Sequence, residues 1–156
     1  MAIEKVREYL SQFSAEDKIL EFEVSSATVE LAAKALGCEP CHIAKSMAFQ
    51  VDDGAILVVA AGDVKIDNAK FKAEFKTKAK MVQFADVEAV IGHAAGGVCP
   101  FAVNDGVKVY LDESLKRFET VYPAAGSGNS AIPLSLDELE EYSASQKWVD
   151  VCKFAV

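Results

Sequence analysis

Alternation puts Lys45 among large apolar residues. In the run IAKSMAFQV over 43–51, the odd positions are Ile43, Lys45, Met47, Phe49 and Val51, and the even positions are Ala44, Ser46, Ala48 and Gln50. Side chains of a strand point alternately to its two faces, so Lys45 shares the bulky face. A lysine is almost never fully buried without a partner. Its ammonium must meet a carboxylate, reach water along its own stem, or line a pocket that receives an anionic ligand. The first two outcomes are structural and the third is functional.

Three other segments have residue types suited to chemistry. GHAAGGVCPF, residues 92–101, holds three glycines and a proline in ten residues. Such a loop exposes backbone N–H groups that can receive carbonyl or phosphate oxygens, although many glycine loops are only turns. GSGN, residues 126–129, is a second small-residue loop and reads the same two ways. His93, in the first loop, has the chemistry of a general acid or base, and a solvent-facing loop histidine is the simpler reading. The third segment, Cys38-Glu39-Pro40-Cys41-His42, has the C-x-x-C-H spacing of haem attachment, of a redox dithiol or of half a zinc site. A zinc site needs further ligands, and Cys99, Cys152 and His93 are scattered along the chain. Redox dithiols favour a helix N-terminus, whereas this motif follows a helix C-terminus. A plain loop is the simplest reading of CEPCH. No Ser-His-Asp arrangement, phosphate-binding GxxxxGK[ST] or recognisable carboxylate pair is present.

The elements that must position these groups follow from period and punctuation. Ile3, Val6, Leu10 and Phe13 make one side of a helix over 2–13. KILEFEV, 18–24, reads as a strand. Ser25 and Ser26 offer caps for a helix over 27–36, whose stripe is Val29, Ala32, Ala33 and Leu36 and whose end is Gly37. The strand over 43–51 turns at Asp52-Asp53-Gly54 and returns as AILVVAA. Asp67 caps a helix bearing Phe71 and Phe75. A strand near 79–84 and a helix near 85–91 ending at Gly92 come next. Asn104-Asp105-Gly106 turns into VKVYL, and a short helix follows near 113–118. ETVYPAAG and SAIPLS are strands on either side of GSGN. Ser135 and Glu138 form a capping box for LDELEEY, and KWVDVCKF alternates as an edge strand. Hairpin-linked strands outnumber helices, so a mixed sheet with helices packed around it is expected, not a doubly wound parallel fold.

The bulk numbers set outer bounds. The 156 residues, 51% hydrophobic and 26% charged, suit one ordinary domain over 1–156 with a core that needs neither disulfides nor metals. The first 20 residues mix charge into every turn and lack the apolar stretch of an export signal. No run approaches the ~18 apolar residues of a membrane span. A cytoplasmic protein with reduced thiols is therefore expected. The net charge of −8 argues against binding along a DNA backbone. The charge is uneven: KIDNAKFKAEFKTKAK, 65–80, holds six lysines against two acids. That strip reads as a solvated helix face or as a local hold on an anionic substrate.

Taken in order, IAKSMAF, AAGD at 60–63, GGVCPF and AAGSGNSAIPLSLDEL resemble the YbaK-like aminoacyl-tRNA deacylases and the related editing domain inserted in bacterial prolyl-tRNA synthetases. The resemblance runs from about residue 25 to about residue 141, and it rests on the A-K-S and GG-x-x-P-F blocks together. It implies an α+β fold with a mixed, barrel-like β-sheet surrounded by helices. It also implies hydrolysis of the ester joining a wrong small amino acid, such as Cys, Ala, Ser or Thr, to a tRNA 3′ end. By this resemblance Lys45 is the catalytic position, a fixed cation and not a Schiff-base nucleophile. Gly96, Gly97, Val98, Cys99, Pro100 and Phe101, with Gly126, Ser127, Gly128 and Asn129, are the substrate-binding loops. No metal or other cofactor is implied. The partner is the aminoacyl end of tRNA, with delivery by a synthetase or elongation factor. The chain departs from the family pattern at His93, where relatives carry an aromatic such as Tyr, and at Cys99, where a residue such as Ser is common. It departs again at Ser130-Ala131, near which some relatives carry an acid, so the amino acid removed does not follow from the resemblance. Two other readings stand beside the enzyme. One is a module that binds an aminoacyl end or a synthetase without catalysis, and the other is a thiol or metal protein built on Cys38, Cys41 and His42.

Overall fold

A computed structural model of the chain describes residues 2–52 and 54–155. Its organising element is a long antiparallel hairpin, β2 (Ile43–Val51) and β3 (Gly54–Ala61), in register from Ala44 opposite Ala61 to Val51 opposite Gly54. Asp53 at the turn lies outside the described residues. Ala55 to Ala61 of β3 are all buried, as a strand covered on both faces requires.

Four strands extend the hairpin. β5 (Lys108–Asp112) pairs parallel to β3, and β9 (Trp148–Val149) pairs parallel to β5. On the other side β6 (Thr120–Pro123) pairs parallel to the start of β2, and β8 (Leu134–Ser135) pairs antiparallel to β6. The sheet is thus mixed, in the order β8-β6-β2-β3-β5-β9. It curls into a half barrel with five α-helices among the described residues packed about it, the architecture expected above. β1 (Leu20–Glu21) with β7 (Ser130–Ala131), and β4 (Val64–Ile66) with β10 (Cys152–Phe154), form two small antiparallel ladders.

The helices bury the stripes that their sequences offer. α1 (Ala2–Ser11) contributes Ile3, Val6 and Leu10 to the core. α2 (Val29–Leu36) packs Ala32 and Ala33 with Ile43. α3 (Asn68–Phe75), capped by Asp67, brings Phe71 to 4.9 Å from Phe49, ring centre to ring centre. α4 (Val87–Ile91) ends at Gly92, where φ is +107°. α5 (Leu136–Ser143) opens on the expected Ser135–Glu138 capping box.

Several local expectations are corrected. The cap of α2 is Thr28, whose Oγ1 accepts from Leu31 N at 3.2 Å, and not Ser25 or Ser26. Residues 18–24 give only the two-residue β1, because Phe22 N and Ser26 N turn to the carbonyls of Asn129 and Gly128. The strand near 79–84 reduces to a single bridge between Met81 and Phe49, since the chain then turns into a 3-10 helix at Phe84–Asp86. Residues 113–118 form a 3-10 helix, Glu113–Arg117. SAIPLS and KWVDVCKF each split into two short strands in different ladders.

One feature of the sheet positions the site. β3 covers one edge of β2 along its length, but the other edge is covered only at its ends. β6 reaches Ile43 and Ala44. Near the far end Val82 N donates to Ala48 O at 2.9 Å, and Gln50 N donates to Lys80 O at 2.8 Å. Even-numbered residues of β2 therefore direct their backbone groups to this edge, since the direction alternates along an antiparallel strand. Between the two covers, Ser46 turns its N–H and C=O toward an opening in the sheet.

Candidate functional site

A cavity of about 220 Å³ occupies that opening. Its floor is β2 from Ile43 to Ala48, and its walls come from 26–32, 81–87, 95–98, Tyr122 with Ala124, and Ser130 with Ala131. Most of the lining is Ala and Val, small side chains that leave room between elements.

Lys45 lines the cavity and is half-buried. Its Nζ donates to the carbonyl of Val64 on β4. Burial pushes its pKa down, opposed by the more distant Cys152, Asp63 and Glu30. Among the described residues no carboxylate forms an ion pair with it. Asp63 instead takes a two-pronged contact from Arg117, at 2.6 and 3.0 Å. The ammonium is thus held in place by a neutral carbonyl while its charge stays uncompensated, which is the electrostatic condition for receiving an anion. Neighbouring Ser46 also lines the cavity, and its hydroxyl oxygen is buried without a hydrogen-bond partner. Buried hydroxyls nearly always have a partner, so an unpaired one in the wall of a cavity stands out.

The two glycine loops divide into residues that reach the cavity and residues that stand behind it. Gly96 and Val98 line it. Gly97 donates its N–H to Ala94 O at 3.0 Å and packs directly on the backbone of Ser127. Cys99, Pro100 and Phe101 are buried away from the lining, so as contact residues they depart from the expectation. The reason is visible in His93, which is fully buried and not solvent-facing. His93 Nε2 donates to Phe101 O at 2.7 Å, and Cys99 Sγ lies 3.6 Å from the same nitrogen. The second half of the loop is therefore an anchor. Burial lowers the His93 pKa and raises that of the Cys99 thiol to about 12, so neither group is poised for acid–base or thiolate chemistry.

Residues 126–129 also stand behind the cavity. Gly126 abuts Val6 and Ala2 of α1, where a Cβ would meet Val6 Cγ2 at 2.8 Å. Ser127 Oγ donates to Asn129 Oδ1 and lies 2.7 Å from Ser130 Oγ, from which it can accept, and Asn129 Nδ2 donates to Phe22 O. Gly128 lies nearer, with Ala27 Cβ 3.7 Å from the position of its missing Cβ. The loop braces the 96–98 wall and delivers the next residues, Ser130 and Ala131, to the lining. Ser46, Ser130, Thr28, Tyr122 and Met81 were not foreseen as lining residues. For Ser46 the signal was available, since it stands beside Lys45 in the A-K-S block.

The CEPCH segment is a 3-10 turn, Pro40–His42, leading into β2. The His42 ring packs edge-on against Phe118 at 4.5 Å. Burial raises the pKa of Cys38 and of Cys41. Among the described residues no group of three or more His, Cys, Asp or Glu is placed to hold a metal ion. No helix among them is long and apolar enough to cross a membrane.

The family model for the aminoacyl-tRNA editing domain matches residues 23–142. The chain belongs to the aminoacyl-tRNA editing domain family. The matched span takes in β2, both glycine loops and the capping box of α5. The chain is 51% identical over 154 residues to the uncharacterized protein YwhH of Bacillus subtilis, covering 98% of each. It is 29% identical over 90 residues to the proline–tRNA ligase of Lysinibacillus sphaericus, which is 57% of this chain but 16% of that ligase. Among solved structures, a candidate trans-editing enzyme for prolyl-tRNA synthetase superposes with a TM-score of 0.87 at 27% identity, covering 97% of both chains. The curled sheet is thus that of an editing-domain fold.

Proposed function

We propose that this editing domain acts in trans, hydrolysing the ester that joins a small, wrongly attached amino acid to the 3′ end of a tRNA. The observation that carries this reading is the uncompensated Lys45 ammonium beside the unpaired Ser46 hydroxyl in a cavity of about 220 Å³. Small-molecule pockets usually measure about 300–1,000 Å³. This one suits an aminoacyl group and not a whole nucleotide, and its Ala-rich lining suits Ala, Cys, Ser or Thr.

In the proposed reaction, water attacks the ester carbonyl carbon, the bond to the ribose oxygen breaks, and that oxygen takes the proton lost by the water. Lys45 holds the terminal phosphate or orients the aminoacyl group. N–H groups at Gly96 and Val98, with that of Ser46, receive the oxyanion. With no strong base in the lining, a hydroxyl of the terminal ribose is the group available to assist the water. A tRNA carrying the wrong amino acid is then the substrate, and a synthetase is the partner that delivers it.

The test is a deacylation panel of tRNAs charged with Ala, Cys, Ser, Thr and Pro. Release of at least one small amino acid is expected, and no hydrolysis of any would refute the enzyme reading. Lys45→Ala should lower the rate about 10²–10³-fold, as loss of one preorganised charge does, with an unchanged circular dichroism spectrum. Full activity in that variant would move the site elsewhere.

A further inference from the structure

An aminoacyl group that fills the cavity leaves its nucleotide outside. The wall segment 81–87 carries two large apolar side chains in water: Met81, 59% exposed, and Phe84, 83% exposed. Met81 lines the cavity, and Phe84 stands in the chain between Val82 and Val87, which also line it. A single exposed apolar residue is ordinary, but an aromatic this open beside a cavity mouth gains nothing from its own fold.

The approach to this pair is cationic. Upstream of Met81, Lys76 at the end of α3 and then Lys78 and Lys80 are exposed, alternating with half-buried Thr77 and Ala79. Lys76 donates to the carbonyl of Ala73, but Lys78 and Lys80 form no ion pair with any described residue. The segment is fixed, since Lys80 O and Val82 N are both bonded to β2. Asp86 and Glu88 follow Phe84, so positive charge lies only on the upstream side. Elsewhere in the lysine-rich strip Lys70 lies 3.1 Å from Asp150 and Glu74 lies 2.6 Å from Lys147, while Lys65 and Lys72, farther from Met81 along the chain, also form no ion pair with a described residue.

We propose that Lys78, Lys80, Met81 and Phe84 form a docking track for the unpaired 3′ strand of an RNA, with Phe84 stacking on one of its bases and the two lysines meeting its phosphates. A π-face accepts any base, and alternating cations with an aromatic is how single strands are held without sequence preference. The charge is local, which suits an acidic protein that touches only the tip of its substrate. This rests on the proposed function, because the track ends at the cavity of Lys45.

The test is fluorescence anisotropy at low salt, using a labelled RNA hairpin with four unpaired 3′ nucleotides and the same hairpin trimmed blunt. The overhang should bind and the blunt form should bind markedly less. Phe84→Ala should weaken overhang binding about 5- to 100-fold, the loss of one base stack. Phe84→Trp should retain it, Phe84→Leu should not, and Phe154→Ala, at another exposed aromatic, should leave it unchanged. Each of Lys78→Ala and Lys80→Ala should reduce the salt slope by about 0.7. Equal binding of Phe84→Ala and wild type, or no binding of the overhang by wild type, overturns the proposal. The two readings fail separately. Phe84-dependent binding without hydrolysis of any charged tRNA would remove the enzyme and keep the track. Hydrolysis with KM and kcat unchanged in Phe84→Ala would do the reverse.

Discussion

Gly97→Ala tests whether the spacing of the two glycine loops sets the cavity wall. Gly97 does not have a positive φ, so its backbone accommodates alanine and the objection is purely one of space. A Cβ there would lie 2.8 Å from Ser127 Cα and N and 2.9 Å from Ser127 C. All three are backbone atoms, which cannot swing aside as a flexible side chain can. Carbon contacts settle near 3.5 Å, so the loops must separate by about 0.7 Å. Overpacking of this kind costs about 1–3 kcal/mol. For a chain of this length that corresponds to a fall in Tm of about 2–12 °C. A misplacement approaching ~1 Å also lowers rates by up to about 10²-fold. Thermal unfolding and single-turnover deacylation of the same preparation measure both. Gly128→Ala is the control, because its Cβ would make only an ordinary 3.7 Å contact with Ala27 Cβ. It should unfold and react like wild type. Wild-type Tm in Gly97→Ala would refute the steric argument. A lowered Tm with an unchanged rate would show that the 96–98 wall does not position the ester.

Two further outcomes concern groups that look reactive in the sequence. Burial lowers the folded-state pKa of His93, so below pH ~6.5 the unfolded chain binds the proton first. The stability that neutral His93 contributes is complete above that pH and is lost as the pH falls toward the folded pKa. Urea unfolding between pH ~7.5 and ~5 should show this loss in wild type and a flatter dependence in His93→Phe; the same slope in both would refute it. For Cys38 and Cys41, whose thiols burial pushes up, the double change to Ser should retain deacylation and stability within about 0.5 kcal/mol. Loss of activity, or stoichiometric zinc in the purified wild type, would restore a thiol or metal role.

Local chemistry was legible in the sequence wherever one element decided it. The alternation of 43–51, the Asp67 cap and the Ser135–Glu138 capping box each involve neighbours in the chain, and each is found as expected. The cavity was not legible, because it depends on how far two other segments reach along β2. β6 pairs with only two residues, and the 80–82 segment makes one bridge. Ser46 is marked in IAKSMAFQV only by its place beside Lys45, and how far the two covering segments reach is not written in that run. The glycine loop misled in the opposite sense. Its composition suggested exposed backbone throughout, yet Ile91, Cys99 and Phe101 bracket His93 with side chains that belong in a core, and burial of the histidine follows them.

The case for Lys45 changes once its surroundings are known. A structural lysine in a sheet should end at a carboxylate, because pairing offsets part of the cost of desolvating it. Here carboxylates are near enough to affect Lys45, but the one that acts on it more strongly, Asp63, is held by both prongs of Arg117, which lowers its own pKa. Arg117 is itself fixed, with its Nε donating to Ser114 O at 2.8 Å and its guanidinium over Phe118 and Phe154. The Asp63–Arg117 pair therefore engages the obvious counter-ion of Lys45, whose hydrogen bond among the described residues goes to the Val64 carbonyl. An arrangement that fixes a cation yet withholds its partner costs stability and offers no packing advantage in return. It is intelligible if the missing charge arrives with the substrate proposed above, as its terminal phosphate or as the oxyanion formed at its ester.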